Sequence, residues 1–186
     1  MRMSKRWLWP FGGSLVVLAL GAGAPGKMSV PKYDGAGNVV RPEGYRKWVF
    51  VGTSLGLRYM SDGGTDQGPG SFHNIYIQPE AYDEFLKTGA FPEKTILAME
   101  VYSAGTKEPK SGLSGGYFGD QLTGFSAAIK DKERFPEGWG YVSFMRDGSK
   151  VADAAEPFRK AQCYDCHHEH GATDNVFTQF YPILRR

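Results

Sequence analysis

Apolar residues occur in short runs along the chain, and glycine-rich connections lie between these runs. Within several runs, apolar and polar residues alternate. Alternation with a period of two places every second side chain on the same face of a sheet, which is the pattern of a half-buried β-strand. Clusters of glycine, proline and asparagine at the ends of the runs mark the strand boundaries. The pattern predicts strands at residues 48–52, 72–77, 95–103, 117–129 and 139–145.

Two stretches carry a helical pattern instead. Residues 79–88 begin with a proline and an acidic residue, place Tyr82, Phe85 and Leu86 on one face, and stop before Gly89. Residues 153–160 are the second predicted helix. Because strands and helices do not alternate, a parallel sheet is not expected. The predicted fold class is α+β, with a mainly antiparallel β-sheet and a few helices.

The first 24 residues differ in composition from the rest of the chain. A basic start is followed by an apolar stretch and by Ala22-Gly23-Ala24, which has the small-residue pattern of a cleavage site. We interpret residues 1–24 as a secretory signal peptide cut after Ala24, with an uncleaved membrane anchor as the alternative. No second apolar stretch is long enough to span a bilayer, so no membrane span is expected in the mature chain. Residues 25–44 are then an extended lead-in, and residues 45–186 form one domain.

Acidic and basic residues are nearly balanced, with 22 lysines and arginines against 20 aspartates and glutamates. This balance argues against binding to nucleic acid, which basic patches mediate. The chain has only two cysteines, so no further pair is available for a disulfide framework.

Both cysteines belong to the sequence C-Y-D-C-H at residues 163–167, which is the C-x-x-C-H attachment signature of a c-type haem. The two thiols add across the haem vinyl groups and form thioethers, and the histidine that follows them ligates the iron. We therefore predict one covalent haem c, attached through Cys163 and Cys166, with His167 as the proximal metal ligand.

Two alternatives account for the same cysteines. A redox-active C-x-x-C pair usually lies in a βαβ pattern, which is absent here. Half of a zinc site would need His167, His168 or His170 as the remaining ligands, crowded onto one short turn. Haem attachment by this motif takes place outside the cytoplasmic membrane, and the signal peptide directs the chain there. The predicted location is the bacterial periplasm.

The position of the motif, close to the C-terminus, differs from that in the usual small c-type cytochromes. Those proteins are helical, and they carry the motif near the N-terminus with a ligating methionine far downstream. Only 19 residues follow His167 here, and none of them is methionine. A sixth iron ligand must come from upstream, where Met99 and His73 are candidates, or the distal face is open. Core filling by Met99 and a surface position for His73 are the alternatives.

Several short stretches also occur in an order known from one family. They are Tyr45–Val49, Val51–Thr53, Asn74–Ile77, Tyr82, Lys87–Gly89, Gly116–Phe118, Lys130–Asp131, Arg134–Phe135, Cys163–His167 and the closing Val176–Pro182. With them the chain resembles the cytochrome P460 family, whose relative is cytochrome c′-beta. The resemblance implies a mainly antiparallel β fold, usually a homodimer. It also implies one haem c with His167 as proximal ligand and an open distal face.

The resemblance also bears on the distal side of the haem. In the hydroxylamine-oxidising members a lysine is cross-linked to the haem ring, and Met99 stands in its place here. A distal carboxylate that handles protons in those enzymes matches Ser126. A thioether cannot act as the linking amine, and a hydroxyl is a far weaker base than a carboxylate, so hydroxylamine oxidation is disfavoured. The c′-beta relatives bind nitric oxide on a haem capped by phenylalanine. Phe72 is the candidate cap here, with ordinary sheet packing as its alternative.

The resulting prediction is a periplasmic mono-haem c-type cytochrome that binds nitric oxide or related small nitrogen species, or converts them as a haem oxidoreductase. The expected partners are that small ligand, a redox partner protein and a second copy of the chain. A hydroxylamine-oxidising cytochrome P460 and a six-coordinate electron-transfer cytochrome are the alternatives. Aromatic residues expected in the core or haem wall are Phe177, Phe180 and Tyr181. Lys130 and Arg134 are expected either at the haem propionates or simply on the surface.

Overall fold

The computed structural model describes residues 27–58, 68–106, 112, 115–145 and 150–186. The predicted signal peptide and residues 62–67 of the glycine-rich stretch 62–70, which the sequence predicts to be a loop, lie outside these ranges. The strands and α-helices of the described residues are β1 Val39–Val40, β2 Val49–Leu55, β3 Ser71–Ile77, α1 Pro79–Thr88, β4 Ile96–Thr106, β5 Tyr117–Lys130, β6 Trp139–Ser143, β7 Ala154–Ala155 and α2 Tyr164–His170. Short 3-10 turns lie at Tyr45–Lys47, Lys160–Gln162, Thr178–Phe180 and Pro182–Leu184.

The main sheet has the strand order β2-β3-β4-β5-β6, so each strand lies beside its neighbours in sequence. All four strand pairs are antiparallel, and β1 and β7 form a separate antiparallel pair. This architecture confirms the predicted α+β fold with a mainly antiparallel sheet. None of the described helices has the length and apolar character that crossing a membrane requires.

The five predicted strands correspond to β2 to β6, and the first predicted helix coincides with α1. On the predicted apolar face of α1, Phe85 is buried, but Leu86 is 49% exposed and does not belong to the core. The helix predicted at residues 153–160 was wrong. Ala154 and Ala155 instead pair with Val40 and Val39 as β7. Pro157 also disfavours a helix through this stretch, because it lacks an amide proton and would clash with the preceding turn.

Strand β5 shows why the sheet has two distinct faces. Phe125, Ala127 and Ile129 are buried, whereas the alternate residues Ser126 and Ala128 are only half buried. The first set packs against the N-terminal segment around Val39, Tyr33 and Tyr45, and we call this side the lead-in face. The other side packs against α1, Tyr164 next to Cys163, and the C-terminal turns, and we call it the helical face.

The core of the helical face is aromatic and lies under α1. The Phe85 ring stacks on Phe91 with centroids 4.3 Å apart, and Phe91 meets Trp139 edge-on at 6.0 Å. Tyr181 and Leu184 of the C-terminal turns are buried in the same cluster. The C-terminal segment is thereby held against the sheet, and with it the turn that follows the haem motif.

The lead-in face buries a charged group at its centre. The Glu100 carboxylate is 2% exposed and accepts hydrogen bonds from the Tyr45 hydroxyl at 2.6 Å and from the Arg46 guanidinium at 2.6 and 2.8 Å. The Tyr76 hydroxyl lies 3.4 Å from the second carboxylate oxygen. Burial, followed by the neighbouring Glu100 carboxylate, raises the pKa of Tyr45 well above its ordinary value. A buried carboxylate without such partners would strongly destabilise the fold.

We therefore expect Arg46→Met to lower the free energy of unfolding by about 2 kcal/mol, because it leaves Glu100 buried without its counter-charge. The corresponding fall in Tm is about 4–8 °C for a chain of this size. Thermal unfolding followed by circular dichroism measures this. Arg185→Met is the matched control, since Arg185 is exposed. Equal Tm values for the two variants would show that the Arg46–Glu100 pair contributes nothing.

Candidate haem site

The C-x-x-C-H motif forms the start of helix α2. Cys163 precedes the first helical residue, and the backbone N–H of His167 donates to its carbonyl at 3.1 Å. Residues three and four positions apart lie on one side of a helix, so Cys163, Cys166 and His167 share a face. Both cysteines are free thiols and half buried. Burial raises the pKa of Cys163, which keeps it a thiol at neutral pH.

His167 is held by contacts on several sides. Its Nδ1 lies 3.1 Å from the carbonyl oxygen of Asn175. The imidazole packs against the rings of Tyr141 and Phe177, with centroids at 4.2 and 4.6 Å. A carbonyl can only accept, so Nδ1 carries the proton and Nε2 keeps its lone pair. Burial lowers the pKa of His167, so the imidazole is neutral near pH 7.

The carbonyl that fixes His167 belongs to an unusual turn. Asp174 and Asn175 both have positive φ angles, 50° and 61°, which asparagine and aspartate tolerate better than most residues. The Asp174 carboxylate accepts from Lys130 Nζ at 2.6 Å and from the Trp139 indole N–H at 3.2 Å. The turn is therefore tied to β5 and β6. The sequence analysis did not predict this turn. The signal for it was Asp174-Asn175, two residue types that tolerate left-handed backbone, between the haem motif and the closing stretch Val176–Pro182.

These residues fit a haem c. Two thiols and a neutral imidazole with a fixed tautomer lie on one side of a short helix, which is the donor set that thioether attachment and axial ligation require. No comparable set of ligands supports the zinc alternative. Among the described residues, no group of three or more His, Cys, Asp or Glu side chains is placed to hold a metal ion. His168 Nδ1 instead lies 3.0 Å from the Asn175 side-chain oxygen, and exposed His170 lies beside Glu169.

The strand register places Met99 and Ser126 on the side of the sheet that faces His167. Ile75, Met99, Ser126 and Ser143 pair across four strands, and all four are only half buried. The next row of residues that pair across the strands on the same face ends in Tyr141, the partner of Ala128, and the Tyr141 ring contacts His167. Adjacent rows on one face are about 7 Å apart. Met99 and Ser126 thus belong to one surface with the ring that packs on His167.

His73 lies on the helical face one row beyond Met99, where it pairs with Ser54 and Val101. It is half buried rather than a surface residue, and burial lowers its pKa. A neutral imidazole on this face keeps His73 a candidate for the sixth iron ligand.

Phe72 lies on the opposite side of the sheet. It pairs with Leu55 and Tyr102, and the Tyr102 hydroxyl lies 3.3 Å from the Arg46 guanidinium on the lead-in face. Neighbouring residues of a strand point to opposite faces, so the structure does not bring Phe72 together with Met99 and Ser126. The placement agrees with the alternative for Phe72, packing within the sheet, and a cap on the helical face would have to come from another residue.

The remaining predicted residues fall into two groups. Tyr181 is buried in the core, and Phe177 contacts His167. Phe180 is 45% exposed, so it is not a core residue as predicted. Lys130 is not a surface charge: its side chain is 12% exposed and is paired with Asp174. Arg134 donates to the carbonyl of Gly37 at 2.7 Å and so holds the lead-in segment.

Comparison with known proteins adds one match. The family model described as Cytochrome P460 matches residues 42–178, which include the whole sheet, both α-helices and the haem motif. No curated protein matches the chain.

Proposed function

Because the chain belongs to the cytochrome P460 family, and is thus a haem cytochrome, we propose that it is a periplasmic mono-haem c protein that binds nitric oxide or related small nitrogen species. Cys163 and Cys166 would hold the haem covalently, and His167 would be the proximal ligand. When bound, the haem supplies a redox-active iron that takes small diatomic or nitrogenous ligands at its distal face. The observation that carries the proposal is the neutral, tautomer-fixed imidazole of His167.

The chain's own residues define what the distal side offers. The row that contains Met99 and Ser126 has small or apolar, uncharged side chains, so it can admit a small neutral ligand but holds no strong base. A site of this kind suits binding or slow redox conversion of nitric oxide better than repeated proton abstraction from hydroxylamine. That contrast favours the nitric oxide function over a hydroxylamine oxidase.

An electron-transfer cytochrome is the second candidate, and His73 is the observation that favours it. It is neutral, half buried and on the same face as Met99, so either residue could complete six-coordination. Both are ligand types that cytochromes use.

One optical spectrum separates the two candidates. We expect the reduced protein to show a five-coordinate high-spin haem that shifts on titration with nitric oxide. His73→Ala and Met99→Leu are the matched variants, and both should leave the ligand-free spectrum unchanged. A sharp six-coordinate low-spin spectrum that one of these variants converts to high spin would instead establish electron transfer with that residue as sixth ligand.

We also propose export and self-association. The basic and apolar start of the chain, with Ala22-Gly23-Ala24, suits a cleaved leader, and covalent haem attachment requires the same compartment. Phe50 and Leu55 are exposed on β2, one of the two edge strands of the main sheet, and offer apolar surface to a second copy. Cell fractionation with N-terminal sequencing, and light scattering of the purified protein, test these two points.

A further inference from the structure

We propose that Tyr141 and the Lys130–Asp174 ion pair are positioning groups that set how strongly His167 donates electrons to the iron. The inference rests on the proposed haem function, and it concerns residues that the haem motif does not contain. It follows from two hydrogen bonds to the backbone carbonyl of Asn175 and from the ion pair that holds the preceding residue, Asp174.

The Asn175 carbonyl accepts two hydrogen bonds. One comes from His167 Nδ1 at 3.1 Å, and the other comes from the Tyr141 hydroxyl, also at 3.1 Å. The Tyr141 ring at the same time packs on the imidazole at 4.2 Å with an interplanar angle of 35°. Tyr141 therefore touches the proximal histidine directly and also competes with it for the same acceptor.

Asp174 fixes the position of that carbonyl from the preceding residue. Its carboxylate is held by Lys130 and by Trp139, and these two residues are direct partners across β5 and β6. Lys130 Nζ also donates to the Phe91 carbonyl at 2.6 Å, so the ion pair is part of the core. The left-handed backbone at Asp174 and Asn175 is thus held on a rigid base rather than left to relax.

The chemical consequence follows from how a second hydrogen bond changes an acceptor. A carbonyl oxygen has two lone pairs, and each of two donors sharing it is bound less strongly than a single donor would be. A weaker bond at Nδ1 leaves the imidazole less basic at Nε2, because second-shell acceptors raise the basicity of a metal-bound histidine. Tyr141 should therefore limit electron donation from His167 to the iron. Asp174 should hold the Asn175 carbonyl in one position, so that the hydrogen bond from His167 Nδ1 has a single length.

The test uses the haem-loaded protein and the variant Tyr141→Phe, which keeps the ring and removes the hydroxyl. We expect a more negative midpoint potential and a higher Fe–His stretching frequency in the resonance Raman spectrum of the reduced protein. Tyr76→Phe is the matched control, since it removes a hydroxyl on the lead-in face, and it should change neither quantity. Values for Tyr141→Phe that equal those of the wild type would overturn the proposal.

A second variant keeps the proposal testable if Tyr141→Phe does not fold or does not take up haem. Asp174→Asn keeps the size of the side chain but removes the ion pair with Lys130. We expect a broadened Fe–His band, because the Asn175 carbonyl then takes more than one position. An unchanged band in Asp174→Asn would refute the positioning role of the ion pair.

The outcomes also separate this inference from the proposed function. Nitric oxide affinity is measured on the same samples. If the potential shifts as expected but nitric oxide does not bind, the positioning role stands and the nitric oxide function fails. If nitric oxide binds and neither the potential nor the Raman band changes in the variants, only the positioning role fails.

Discussion

Replacing Cys163 and Cys166 together by alanine should abolish covalent haem attachment. No other cysteine exists in the chain, so no other side chain can form a thioether. The expected product retains no haem after extraction with acidified acetone, whereas the wild type keeps its haem with the polypeptide. Haem staining of denaturing gels and intact-mass spectrometry measure the loss. The effect should be complete, because each thioether requires its own thiol.

Single variants and a neighbouring histidine make the experiment specific. Cys163→Ala and Cys166→Ala should each leave at most one thioether and a visibly shifted spectrum. His168→Ala is the control, since His168 follows the motif, is exposed, and bonds only the Asn175 side chain among its described polar contacts. Haem that survives extraction in the double variant would place the attachment elsewhere.

The sheet was predictable because its strands carry a local pattern. Strand β5 alternates buried Phe125, Ala127 and Ile129 with the half-buried Ser126 and Ala128, and such a period needs no knowledge of the partner strands. The stretch at residues 153–160 failed for the opposite reason. Ala154 and Ala155 have no strand signal of their own, and only pairing with distant Val39 and Val40 makes them extended.

The site divides in the same way. Cys163, Cys166 and His167 lie close together in sequence and carry a motif, so the chain alone is enough to propose them as the candidate site. The groups that hold His167 could not be predicted, because the residues in contact are far apart in sequence. Tyr141 contacts Asn175 across 34 residues, and Lys130 contacts Asp174 across 44. Such contacts depend on how the C-terminal segment packs against the sheet, and no local pattern encodes that.

Phe72 illustrates a further limit. Its residue type and position suggest a cap, but the pairing of β3 with β4 decides on which face it lies. Phe72 is the partner of Tyr102 and Ile75 is the partner of Met99, and this register runs without a shift. Because Phe72 and Ile75 are three positions apart, they lie on opposite faces, and a register one residue away would exchange these faces.

The wild-type haem should be joined to the protein only through its two thioethers. Met99 lies on β4 in the row with Ser126, and the strand carries no lysine at any position from Ile96 to Thr106. Linking a protein nitrogen to the haem ring requires a nucleophilic amine at the ring edge, and a thioether cannot supply one. Intact mass with peptide mapping tests this. A haem that is bonded both to Cys163 and Cys166 and to a residue outside 163–167 would show that another lysine takes that role. Hydroxylamine oxidation would then become the leading function again.

The converse variant, Met99→Lys, should create a third covalent bond and a red-shifted Soret band. Forming the N–C bond removes one hydrogen from the amine and one from the ring carbon, so an added two-electron oxidant such as hydrogen peroxide is required. Val101→Lys is the control, because it places the same amine on the same face one row further along the strand. Bond formation in both variants alike would show that β4 does not direct the linkage.

Hydroxylamine turnover should remain low in Met99→Lys alone. Ser126, the neighbour of Met99 in the register, offers a hydroxyl that cannot accept protons at neutral pH, so the linked haem would still lack a base. Adding Ser126→Glu supplies a carboxylate at that position, and turnover should rise only in the double variant. A rise with Met99→Lys alone would mean that proton transfer depends on another group of the helical face, and half-buried, neutral His73 would then be the first residue to replace.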